Sequence, residues 1–78
     1  MKWPKDAPKG KVIKAMERLG FRMIREREHI AMRRHKADGT STPLILPNHR
    51  RIKGSTLKTT CAAAKITREE FLTAYNQS

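Results

Sequence analysis

Cysteine occurs once in this 78-residue chain, at position 61, which excludes an internal disulfide and leaves no second thiol for a zinc site of the usual kind. Followed by Ala62, Ala63 and Ala64, Cys61 reads as a small core residue rather than a reactive thiol. Long apolar runs are also missing, so no segment is expected to cross a bilayer. No secretory pattern follows Met1, and the chain is expected to be cytoplasmic with no membrane partner. Acidic residues are scarce. Seven Asp and Glu stand against eighteen Lys and Arg, for a formal charge of +11. So few carboxylates form no cluster suited to Mg²⁺, and the sequence implies neither a metal nor a cofactor.

The charge that is present is unevenly placed. Sixteen of the eighteen basic residues lie in positions 1–58, while positions 59–78 carry Lys65 and Arg68 against Glu69 and Glu70. Between 11 and 36 the cations alternate with Val12, Ile13, Met16, Leu19, Phe21, Ile24, Ile30 and Met32, which marks a folded surface rather than a solvated tail. A chain this short holds one thin core, so its self-repelling charge points to a polyanionic partner, read here as RNA.

Residues 1–9, with two prolines and no apolar period, read as an irregular arm ahead of a single domain at 10–76. Val12, Ile13, Met16 and Leu19 recur at helical spacing, which predicts a helix from Gly10 to Leu19, stopped by Gly20. Alternation predicts strands at Phe21–Glu26, His29–His35 and Thr42–Leu46, with Asp38-Gly39 supplying the positive φ angles of a tight hairpin. Ser55–Lys65 reads as a second helix, after the loop PNHRRIKG. Thr67 with Glu70 three residues on is a capping-box pattern that opens a short last helix. The expected fold is α+β, in the order αβββα with a short extra C-terminal helix.

Three histidines are candidates for proton transfer near neutral pH. His35, near the hairpin, reads as a surface residue. His49 lies in the run ahead of the second helix, where Arg50, Arg51 and Lys53 precede Gly54-Ser55-Thr56; free helix amides with the Ser55 and Thr56 hydroxyls make a candidate phosphate cradle. His29 opens the second expected strand within REREHI, among Arg25, Glu26, Arg27 and Glu28. A basic surface with a cradle implies binding. Cleavage of RNA needs in addition a base for the 2′-OH, an acid for the leaving 5′-oxygen and cations at the phosphorane, which His29 with neighbouring Lys and Arg can meet without metal.

The segments VIKAMERLGF (12–21), REREHI (25–30), DGT followed by PLILPNH, and IKGSTLKTTC running into ITREEFL are together similar to the HicA family of bacterial mRNA interferase toxins, over about residues 10–75. The resemblance implies a fold like the double-stranded-RNA-binding domain, endoribonuclease activity on mRNA, and neutralisation by a cognate HicB-type antitoxin protein. It implies His29 as the catalytic residue, with Arg27-Glu28 standing where the family has Gly-Ser. The candidate RNA-phosphate contacts are Arg25, Arg27, Arg50, Arg51, Lys53, Ser55, Thr56 and Lys58. Two other readings stay open: a non-catalytic RNA-binding module of the same αβββα shape, and a DNA-reading helix-turn-helix at TTCAAAKITREEFLTAY. Against the latter stand Lys65, where the turn favours glycine, and the acidic pair Glu69-Glu70.

Overall fold

The structure, a computed structural model, describes residues 2–77. Its elements are β1 (Asp6–Pro8), α1 (Lys9–Arg18), β2 (Arg22–Glu26), β3 (His29–His35), β4 (Ser41–Pro47), β5 (Arg51–Lys53), α2 (Gly54–Ala63) and α3 (Arg68–Asn76). Strands β2, β3 and β4 form an antiparallel meander with β3 in the centre. With α1 before it and α2 and α3 after, the αβββα order with an extra helix is present.

Alternation along the meander decides what faces the helices. Ile30 and Met32 of β3 and Thr42, Leu44 and Leu46 of β4 are buried, while their neighbours in sequence face the other way. On the helices, Val12, Ala15 and Met16 of α1, Leu57 and Cys61 of α2, and Phe71, Leu72, Ala74 and Tyr75 of α3 close over that inner face as one cluster. Burial pushes the Cys61 thiol up to about 12, which fits a small apolar core residue.

The ends of α1 and α2 are built alike. Gly20 N–H donates to Glu17 O and Phe21 N–H to Met16 O, with Gly20 at φ +95°. After α2, Lys65 N–H donates to Ala62 O and Ile66 N–H to Cys61 O, with Lys65 itself at φ +60°. Both are Schellman closures, the second made without glycine. Arg34 reinforces the first: its Nη1 donates to Leu19 O at 3.2 Å and its guanidinium lies 4.8 Å from the centre of the Phe21 ring.

Two expectations are corrected. Residues 1–9 are not irregular throughout, because Asp6, Ala7 and Pro8 pair with Lys53, Ile52 and Arg51 in a second, two-stranded sheet that also organises the expected loop PNHRRIKG. Ala7 and Ile52 are buried between exposed neighbours, and three residues are too few for alternation to register as a strand. In the β3–β4 hairpin only Gly39 has a positive φ, +89°. Asp38 instead accepts hydrogen bonds from the Thr40 amide at 2.9 Å and the Thr40 hydroxyl at 2.6 Å, within a five-residue loop, 36–40, that Lys36 N–H closes by donating to Thr40 O at 2.8 Å.

In the helix-turn-helix reading α3 would be the recognition helix. Phe71, Leu72, Ala74 and Tyr75 turn α3 into the core, and its first turn carries Glu69 and Glu70.

Candidate nucleic-acid interface

His29 is the first residue of β3, opposite Pro47 of β4, and its side chain is exposed. Among the described residues no hydrogen bond reaches its imidazole. The backbone around it is held firmly. Arg27 N–H donates to His29 O at 3.1 Å, which tightens the turn between β2 and β3. Asn48, just past β4, fastens that turn twice more: its amide donates to Glu28 O at 3.3 Å and its Nδ2 to Arg27 O.

The other end of the Asn48 side chain reaches α1. Lys9 Nζ donates to Asn48 Oδ1 at 2.8 Å and lies 3.5 Å from Glu26 Oε2. Lys9 N–H, at the start of the helix, donates to Arg50 O at 3.0 Å. One connected network therefore joins Glu26, Arg27, Glu28, Asn48, Arg50 and Lys9 beside His29. Lys9 and Asn48 were not legible as site residues. Each acts through partners 17 to 39 positions away, and nothing local distinguishes a helix-starting lysine or a post-strand asparagine that does this.

The remaining candidates fall elsewhere. Arg25 stands on β2 opposite Ala31, on the sheet face turned away from the helices, the face that His29 also occupies. Arg51 and Lys53 flank buried Ile52 on β5, both exposed. Ser55, Thr56 and Lys58 lie in the first turns of α2, with Thr56 half-buried. Arg50–Lys53 is the stretch of chain that links this second group to the His29 network.

The cradle at α2 differs from its expected form. No side chain caps the helix, but Gly54 N–H already donates to Lys5 O at 3.0 Å. The arm crosses so close that a Cβ on Gly54 would run into Pro4 O. Beside this crossing lies an open cleft of about 520 Å³ whose cations are Lys5, Lys53 and Lys58, with Asp6 the acidic group.

The charge on this surface is largely uncompensated. Among the described residues the single ion pair is Lys9–Glu26. Arg25, Arg27, Arg50, Arg51, Lys53 and Lys58 are all exposed and face solvent without an acidic partner. Such unpaired cations gain by displacing the counterions of a phosphate backbone.

No family model matches the chain, and no curated protein or solved structure does either.

Proposed function

We propose that this protein is a metal-independent endoribonuclease of the HicA mRNA interferase type, a cytoplasmic toxin held in check by an acidic HicB-type antitoxin, on a fold like the double-stranded-RNA-binding domain. The observation that carries the reading is the position of His29: exposed at the end of the central strand, on a turn fixed by Asn48, among arginines that no carboxylate neutralises.

In this reading the RNA backbone lies along Arg27 and Arg50 and extends toward Lys53, Ser55 and Lys58. His29 takes the proton of a 2′-OH as that oxygen attacks the adjacent phosphorus. Arginine offsets the charge gathering on the non-bridging oxygens, and the leaving 5′-oxygen takes its proton from solvent water. The bond formed closes a 2′,3′-cyclic phosphate and the bond broken frees a 5′-hydroxyl end. Nothing in the step calls for a metal.

The test uses end-labelled mRNA with EDTA present. The wild-type chain is expected to cut it to cyclic-phosphate products, and His29→Ala to bind the RNA without cutting. Unchanged cleavage by His29→Ala removes His29 from the mechanism. The free imidazole of His29 favours one alternative, a non-catalytic RNA-binding module in which His29 touches a phosphate. Binding without products from the wild-type protein establishes that alternative.

A further inference from the structure

Stacking on a nucleic-acid base needs an aromatic ring that solvent can reach. Of the four aromatic residues in the chain, Phe21, Phe71 and Tyr75 are buried, while Trp3 is half-buried at the edge of the core. The Trp3 ring leans on Phe71, with centres 5.5 Å apart and planes inclined by 32°, so the core sets its position. Trp3 also lines the open cleft of about 520 Å³ between the N-terminal arm and α2, which Phe71 does not reach.

The cleft depends on how closely the arm crosses the start of α2. Glycine at position 54 permits the crossing, because a Cβ there would run into Pro4 O. The arm is pinned just beyond Trp3: Lys5 O accepts the Gly54 N–H at 3.0 Å, and Asp6 pairs with Lys53 in the β1–β5 sheet. Trp3 and Pro4 thereby share one cleft with the exposed lysines Lys5, Lys53 and Lys58. Asp6 is its one acidic residue, and none of these four charged groups belongs to the ion pair found among the described residues.

A fixed indole with ammonium groups around it suits a ligand that has a flat apolar face and a phosphate, which is the chemistry of a nucleotide. The volume falls within the range of about 300–1,000 Å³ that small-ligand sites occupy. A base inside a duplex has both faces covered by its neighbours in the stack and cannot lie on Trp3. An unpaired base can. Lys53 also stands five residues after Asn48, which holds the turn leading into His29, so at most about 18 Å of extended chain separates the two. A strand of a few nucleotides bridges that distance.

We infer that the cleft between the arm and α2 is a subsite for an unpaired nucleotide of an RNA strand, its base stacked on Trp3 and its phosphates on Lys53 and Lys58. The inference rests on the proposed function for the identity of the polyanion. It adds that the substrate is single-stranded where it meets α2.

The test uses the intact protein and 2′-O-methyl RNA, which lacks the attacking hydroxyl and stays whole. Trp3 is the one tryptophan, so its emission reports on the cleft. Single-stranded 2′-O-methyl hexaadenylate is expected to quench that emission saturably and to bind about tenfold more tightly than an abasic strand of the same length. Trp3→Leu keeps an apolar group against Phe71 and is expected to erase the tenfold difference, read by anisotropy of labelled strands, while binding the abasic strand as the wild type does. Trp3→Phe is expected to restore most of it. Equal affinity of the wild-type protein for the two strands overturns the proposal. So does a fully paired 2′-O-methyl duplex that quenches Trp3 as well as the single strand, or saturation by adenosine monophosphate at the affinity of the hexamer, which makes the cleft a free-nucleotide site. Quenching in a chain that cuts no RNA leaves the subsite standing and removes only the proposed catalysis; cleavage by a chain whose Trp3 emission stays silent does the reverse.

Discussion

Lys9 and Asn48 lie 39 positions apart and meet at 2.8 Å, Nζ to Oδ1, while the Nδ2 of the same amide donates to Arg27 O. Both halves of one asparagine side chain are thereby committed, one to the start of α1 and one to the turn that leads into His29. A side chain with this placement sets the orientation of the turn, and its loss is felt at His29 even though it does not touch the imidazole.

Asn48→Ala is expected to cost about 1–2 kcal/mol, since a part-buried hydrogen bond to Lys9 and an exposed one to Arg27 O are both lost. Denaturant unfolding measures it. Amide exchange at Arg27, Glu28 and His29 is expected to quicken, and RNA cleavage to fall. Asn48→Asp separates the two halves: it keeps an acceptor for Lys9 but turns a carboxylate toward Arg27 O. Stability retained with a loosened turn identifies the Nδ2 bond as the one that positions His29. Wild-type exchange rates in both variants rule out that role.

Gly54 offers a test of the arm. A Cβ there collides with Pro4 O, and Trp3 just before it packs on Phe71 with ring centres 5.5 Å apart. Gly54→Ala is expected to displace the arm and cost about 1–3 kcal/mol as an overpacked contact. Because Trp3 is the one tryptophan, its emission should shift to the red. Gly10→Ala is the control. Nothing lies within 4 Å of a Cβ at Gly10, which is in α1, so that change should leave emission alone and stabilise the helix by about 0.5–1 kcal/mol. An unshifted Trp3 in Gly54→Ala sinks the account of the crossing.

Lys65 holds a φ of +60° at a position where Gly20 serves in the equivalent closure of α1. A side chain in that region costs about 1–2 kcal/mol, part of which glycine returns through the greater freedom of its unfolded chain. Lys65→Gly is expected to raise stability by about 0.5–1 kcal/mol by thermal or chemical unfolding. Since Lys65 lies outside the basic 1–58 region, RNA binding should not change. A destabilised variant means the lysine contributes more than the helix ending explains.

What the sequence made legible is what local physics dictates. Periodicity located α1 and the meander, Gly20 marked the α1 stop, and Thr67 with Glu70 announced α3, where both bonds of the capping box are present. Contacts between distant segments stayed hidden. The β1–β5 pair joins three residues to three across more than forty positions, and the Lys9–Asn48 link is of the same kind. The bulge at Ile24 was equally unreadable, because RMIRE alternates acceptably in either register until β3 is laid against it. Thus His29 and the basic residues were visible from composition and order, whereas the parts that hold them in place were not.

Acid stability gives the last prediction. The Glu70 carboxyl lies below its ordinary value of 4.5, first because it accepts the Thr67 backbone N–H at 3.0 Å and then because of the Thr67 hydroxyl. Asp38 is lowered in the same sense by Thr40, the hydroxyl bond foremost. A carboxyl depressed in the folded state binds its proton more readily when unfolded. Its contribution is therefore complete above the ordinary carboxyl range and is lost as pH falls through the folded value. Stability is expected to decline below about pH 4.5, the ordinary Glu70 value, with a slope that Glu70→Gln together with Asp38→Asn flattens. Both groups are exposed, so the slope is shallow and shrinks further in high salt. Thr67→Ala should lower stability by about 1 kcal/mol at neutral pH through loss of the cap. It should also raise the Glu70 titration toward 4.5, which carboxyl NMR shifts follow directly. A Glu70 titration unmoved by Thr67→Ala assigns the whole depression to the backbone N–H of residue 67, which alanine keeps.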